Sequence, residues 1–148
     1  MIVPILLGSA SDKEFAQKIV EELNSFGIPG EVIVASAHKV PEKVIAIIEK
    51  FNKEDEVVYV TVAGRSNGLS GVTAGSSYHP VIACPPFKDK SDYSVNIHST
   101  LQMPSDTPVM TVLEPANVAV SIARIFGMTH PELRKKVVQR VSDVKGSF

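Results

Sequence analysis

The sequence predicts an α/β domain built on a parallel sheet with helices on both faces. Two observations carry that reading. Short apolar runs alternate with amphipathic helical stretches through the whole chain. The apolar runs are continuous rather than alternating with polar residues, as in strands buried on both sides.

Ile2–Leu7 is the first apolar run and reads as a strand, followed by the turn Gly8-Ser9-Ala10-Ser11-Asp12. A helix then places Phe15, Ile19, Leu23 and Phe26 on one face, and Gly27 stops it. Ser11 and Glu14 have the spacing of a capping box at its start. Glu31–Ala35 is the second strand. Pro41 opens the next helix, which carries Val44, Ile47, Ile48 and Phe51. Proline is tolerated there because its missing N–H would have had no intrahelical partner. Val57–Ala63, Val81–Cys84 and Val109–Leu113 read as the third, fourth and fifth strands. Pro85–Asp92 reads as the longest loop. Two helices close the chain, Ala116–Phe126 and Pro131–Val144; in the second, Leu133, Val137, Val141 and Val144 form an apolar stripe able to cover the core or a neighbouring subunit.

The 148 residues suit one domain, residues 1–148, large enough to bury a real core. With 44% hydrophobic and 21% charged residues the composition is that of an ordinary globular protein. A net charge of −1 provides no basic field to draw nucleic acid or a membrane surface. No apolar stretch approaches the roughly 20 residues that span a bilayer. The start of the chain lacks the basic and apolar regions of a signal peptide. A single cysteine, Cys84, rules out an internal disulfide and fits a reducing compartment. The expectation is a soluble cytoplasmic domain.

In open parallel sheets, ligands bind beyond the carboxyl ends of the strands. Three polar turns fall at such ends and gather Ser9, Ser11, Asp12, Ser36, His38, Lys39, Arg65, Ser66 and Asn67 on one rim. Each turn has a plain alternative. Gly8–Asp12 is either a tight turn with a helix cap or a cradle for phosphate and ribose, with Asp12 suited to hydroxyls. His38 is either a solvated bystander or an acid–base group, since an imidazole exchanges a proton near neutral pH. Arg65-Ser66-Asn67 is either a solvated turn or an anion contact, with Gly64 and Gly68 allowing close backbone approach. Cys84 reads as a small buried hydrophobe. His79, His98 and His130 lack metal-ligand spacing with one another or with Cys84, so no metal is expected. Neither GxGxxG nor GxxxxGK[ST] occurs, which argues against a dinucleotide cofactor or ATP.

The segments GSASD, SAHKVP, AGRSNGLSG, HPVIACPP, LQMPSDTPV and LEPANVAVSIARIFG occur in the order seen in the phosphoribosylaminoimidazole carboxylase family of purine biosynthesis. The chain resembles that family from residue 2 to about residue 127. The resemblance implies a flavodoxin-like three-layer sandwich with a central parallel sheet, a C-terminal helix beyond it, and a homo-octamer. It also implies a reaction that needs neither metal nor organic cofactor. One branch of the family moves a carboxylate from the exocyclic nitrogen of the aminoimidazole ribonucleotide to ring carbon 4. The other carboxylates that ribonucleotide directly with carbon dioxide.

Mutases read AGGAAHLPG in the third loop, whereas this chain has AGRSNGLSG, so it looks like the direct carboxylase. Leu101-Gln102-Met103-Pro104 is closer to the mutase wording, and the mutase is the alternative. Carried over by motif, His38 is the acid–base residue. Gly8, Ser9, Ser11 and Asp12 match the turn that contacts ribose and phosphate, together with Ser36, Ala37 and Lys39. Gly64, Arg65, Ser66 and Asn67 line the carboxylate or carbon dioxide side, and Leu69 helps exclude water. A nucleotide-holding module without chemistry is the reading from another class.

Overall fold

Five strands lie side by side and all run the same way. They are β1 (Val3–Leu7), β2 (Gly30–Val34), β3 (Tyr59–Val62), β4 (Val81–Ala83) and β5 (Met110–Thr111). A computed structural model describes residues 1 to 148. The strand order is β2-β1-β3-β4-β5 and every pair is parallel, the flavodoxin-like arrangement. Ile5 of β1 pairs with Val32 on one side and Val60 on the other. The order reverses at β1, so the loops after β1 and β3 diverge to opposite faces and leave a crevice at their carboxyl ends.

The helices are α1 (Lys13–Phe26), α2 (Pro41–Phe51), α3 (Gly68–Ser76), α4 (Lys90–Asn96), α5 (His98–Leu101), α6 (Pro115–Phe126) and α7 (Pro131–Gly146). Side chains of successive strand residues divide between two cores, as the period of 2 requires. On one face Val3, Ile5, Leu7, Val58, Val60 and Val62 meet Ile19 and Leu23 of α1, Val118 and Ile122 of α6, and Leu133 of α7. On the other, Leu6, Tyr59 and Ala63 meet Val44, Ile48 and Phe51 of α2 and Leu69 of α3. The result is a three-layer sandwich.

Local chemistry explains the element ends. Gly27 takes a left-handed φ of 75° and its N–H closes on α1, a geometry that favours glycine. Pro41, Pro115 and Pro131 each open a helix. Two expectations are corrected. Ser11 and Glu14 do not form a capping box: Ser9 caps a single 3-10 turn, Ala10–Asp12, its hydroxyl accepting from the Ser11 N–H, so the cap sits two residues upstream. The loop beginning at Pro85 ends at Asp89, whose carboxylate caps α4 through the Asp92 N–H. The apolar stripe on α7 is buried at Leu133, partly covered at Val137 and Val141, and half exposed at Val144.

Candidate active site

At the carboxyl ends of the strands lies an open cavity of about 860 Å³, lined by 21 residues. Four loops supply it. The turn after β1 gives Gly8, Ser9, Ser11 and Asp12; the turn after β2 gives Ser36, Ala37, His38 and Lys39. The segment after β3 gives Gly64, Arg65, Ser66, Gly68 and Leu69, and the loop after β4 gives Pro86, Phe87 and Lys88. Of the residues expected from the sequence, only Asn67 is absent from the lining.

The first turn is shaped by its own hydroxyls. Ser9 Oγ accepts from the Ser11 hydroxyl at 2.8 Å and from the Ser11 N–H at 3.3 Å. Both serines are exposed and line the cavity. Burial pushes the Asp12 carboxyl up from its ordinary value, and hydrogen bonds from Ser11 and the Ser9 backbone oppose that push. Close approach of the first and third loops depends on glycine: a β-carbon at Gly8 would stand 3.2 Å from that of Ala63. At Gly64 it would stand 2.7 Å from the carbonyl oxygen of Pro86.

His38 stands in a turn closed by the Val40 N–H donating to the Ser36 carbonyl at 2.9 Å. Its ring lies against the first residue of α3, with Nε2 2.9 Å from where a β-carbon at Gly68 would be. Ser66, two residues before Gly68, has a φ of 43°, the left-handed region that a side chain disfavours. Asn67 is 3% exposed, and its carboxamide oxygen accepts from the Ser70 N–H at 3.1 Å, capping α3. The placement therefore differs from the expected one: Asn67 builds the wall from behind and does not face the cavity.

The loop after β4 was legible only as a loop, yet it closes one side of the cavity. Asp92 accepts from the Lys88 N–H at 3.0 Å and from the Asn96 amide at 2.7 Å. That N–H, then the Asn96 amide and the charges of Arg65 and Lys88, hold the Asp92 carboxyl below the usual carboxylate range. Phe87 packs edge-on against Tyr93, with ring centroids 5.2 Å apart, which anchors the loop to α4. Glu14, Phe15 and Lys18 of α1 complete the rim. Their position is a consequence of helical spacing after the first turn, a signal present in the sequence. Cys84 is outside the lining and fully buried in the core; burial pushes its thiol up to about 12, as suits packing rather than nucleophilic chemistry.

The cavity thus joins a hydroxyl-rich turn, an imidazole and the cations Lys18, Lys39, Arg65 and Lys88 around one open space. Such a set suits an anionic ligand that carries hydroxyl groups. The AIR carboxylase family profile matches residues 2–146. The chain belongs to the AIR carboxylase family. This AIR carboxylase family member is 48% identical over 135 residues to a phosphoribosylaminoimidazole carboxylase of Archaeoglobus fulgidus, covering 91% of this chain and 74% of that protein. It is 42% identical over 137 residues to the enzyme of the same name from Treponema denticola, covering 92% and 86%. The fold superimposes on the crystal structure of Treponema denticola PurE with a TM-score of 0.92, at 38% identity, over 99% of this chain and 92% of that one. No helix in the AIR carboxylase family member is long and apolar enough to cross a membrane.

Proposed function

We propose that this chain carboxylates 5-aminoimidazole ribonucleotide with carbon dioxide, reversibly, to the 4-carboxy compound of purine biosynthesis. The observation that carries the reading is glycine at position 68. Set beside the mutase wording AGGAAHLPG, the loop AGRSNGLSG has Gly68 where the mutase has its third-loop His. The His38 ring packs against that glycine and is the one imidazole lining the cavity, which supports a single acid–base group there. The name carried by the Archaeoglobus and Treponema relatives agrees with a carboxylase.

The chemistry follows from the substrate. Its aminoimidazole ring is enamine-like, and carbon 4 carries electron density. That carbon attacks the carbon of carbon dioxide; the new C–C bond forms as one C=O electron pair moves onto oxygen to give carboxylate. Carbon 4 now holds an extra proton. His38 removes it and the C–H electrons restore aromaticity; in the reverse direction His38 returns the proton and carbon dioxide leaves. Acid–base help of this kind is worth about 100- to 10,000-fold. Holding ring and gas in contact supplies much of the rest. No metal or organic cofactor enters this scheme.

Gly8, Ser9, Ser11 and Asp12 take phosphate and ribose in this reading, with Ser36, Ala37 and Lys39 beside them. Lys39 contributes a point charge and cannot fork two bonds as arginine does. Gly64, Arg65 and Ser66 serve the carboxylate side, Asn67 holds that segment in place, and Leu69 helps keep water out. We read residues 1–148 as one domain that assembles as a cytoplasmic homo-octamer, in keeping with the family resemblance. Light scattering of the purified chain tests the assembly.

The mutase reading keeps one observation in its favour, the wording Leu101-Gln102-Met103-Pro104. One experiment separates the two. Aminoimidazole ribonucleotide with bicarbonate and carbonic anhydrase goes in one cuvette, the nitrogen-carboxylated ribonucleotide in another, and ultraviolet absorbance follows product. Faster turnover in the first supports direct carboxylation. Turnover confined to the second makes the chain a mutase, and ligand binding with turnover in neither makes it a binding module.

A further inference from the structure

The segment Arg65–Gly68 meets the cavity in a shape that its own residues do not favour, since Ser66 holds a φ of 43°. What holds it there lies outside the cavity. The Asn67 N–H donates to Ser99 Oγ at 3.0 Å, and its Nδ2 donates to Thr100 Oγ1 at 2.9 Å. Its Oδ1 is already taken by the Ser70 N–H. Ser99 Oγ in turn donates to the Asn96 carbonyl at 2.9 Å, so that acceptor is fixed to the α4–α5 corner. Thr100 is 1% exposed, and neither it nor Ser99 lines the cavity.

A buried donor left without its partner is expensive, so Asn67 stays where these two hydroxyls are. Ser66 on one side of it and Gly68 on the other are thereby placed, and the His38 ring rests against Gly68. We infer that Thr100, with Ser99, is a positioning residue for the carboxylation step, acting through Asn67 on the third loop. This rests on the carboxylase reading above. The hydroxyl-rich turn after β1 that would take ribose and phosphate is built independently of α5. The pair therefore acts on turnover rather than on ribonucleotide affinity.

The test compares Thr100→Val, which keeps shape but loses the acceptor, with Thr100→Ser, which keeps the hydroxyl. Each is checked for a cooperative melt and assayed well below its melting temperature. For Thr100→Val we expect kcat for carboxylation to fall about 10- to 100-fold, the scale set by small misplacements of reacting groups. KM for the ribonucleotide should stay within about threefold, and Thr100→Ser should recover most of the turnover. Amide hydrogen exchange over residues 64–70 should quicken in Thr100→Val and not in Thr100→Ser. Equal losses in both variants, an unchanged kcat, or a loss confined to KM overturns the inference. So does unchanged exchange. A wild type that carboxylates nothing defeats the carboxylase reading instead; exchange in the two variants then still decides whether Thr100 holds the loop.

Discussion

The imidazole of His38 occupies the space that any side chain at position 68 would need: Nε2 lies 2.9 Å from the β-carbon site of Gly68, inside van der Waals contact. Gly68→Ala should therefore turn the His38 ring away while leaving the sheet intact. Turnover should drop about 10- to 100-fold with little change in melting temperature. His38→Asn should go further, losing about 100- to 10,000-fold in kcat with ribonucleotide binding retained. Steady-state kinetics beside calorimetric binding checks both. A His38→Asn protein within tenfold of normal activity takes His38 out of the chemistry.

Gly64 and Gly75 offer a matched pair. A methyl at Gly64 meets the Pro86 carbonyl at 2.7 Å, a backbone atom that cannot swing aside, whereas at Gly75 it meets open space. Gly64→Ala should destabilise the fold by about 1–3 kcal/mol and raise KM as the loop after β4 moves off. Gly75→Ala, in a helix, should be neutral or stabilise by up to about 1 kcal/mol. Parallel thermal melts decide it; equal shifts for the two would count against the close approach of these loops.

Asp12 separates function from stability. Burial raises its carboxyl pKa, so the folded chain disfavours the charged form. A group raised in this way supports the fold below its unfolded value, 3.8, and loses that support as pH rises through the folded value. At neutral pH, Asp12→Asn should therefore melt no lower than wild type while binding the ribonucleotide more weakly. A lower melting temperature with unchanged KM would refute the ribose role.

Glu56 ties the start of the chain to α7. It receives the His130 ring and the N-terminal ammonium, and the His130 hydrogen bond, first among several causes, holds its carboxyl below its ordinary value of 4.5. The sign is the reverse of Asp12: the contribution is present above 4.5 and disappears as acid protonates the folded carboxylate. Melts recorded from pH 7 downward should show a shallower acid decline for Glu56→Gln than for wild type. Parallel curves would mean that this cluster carries no pH dependence.

The strands were legible as continuous apolar runs, and the four long helices by their apolar period and a chemical boundary, such as Gly27 after α1 or Pro41 before α2. α3 was not. Its sequence GLSGVTAGS has weak helix formers and no apolar stripe, and it is helical because Asn67 caps it and Leu69, Ser70 and Thr73 are buried. Missing that helix misplaced Asn67, whose position before Gly68 suggests a turn open to ligand. The rim residues of the first three loops were readable because strand ends gather them. Lys88 and Asp92 were not, since their place depends on hydrogen bonds and an aromatic contact within a loop that has no period.

Both open margins of the sheet resist strand addition. β5 is two residues long, too short to template a partner. On the opposite margin, β2 sets the carboxylate of Glu31 outward beside Lys50. Runaway edge-to-edge aggregation is thereby discouraged.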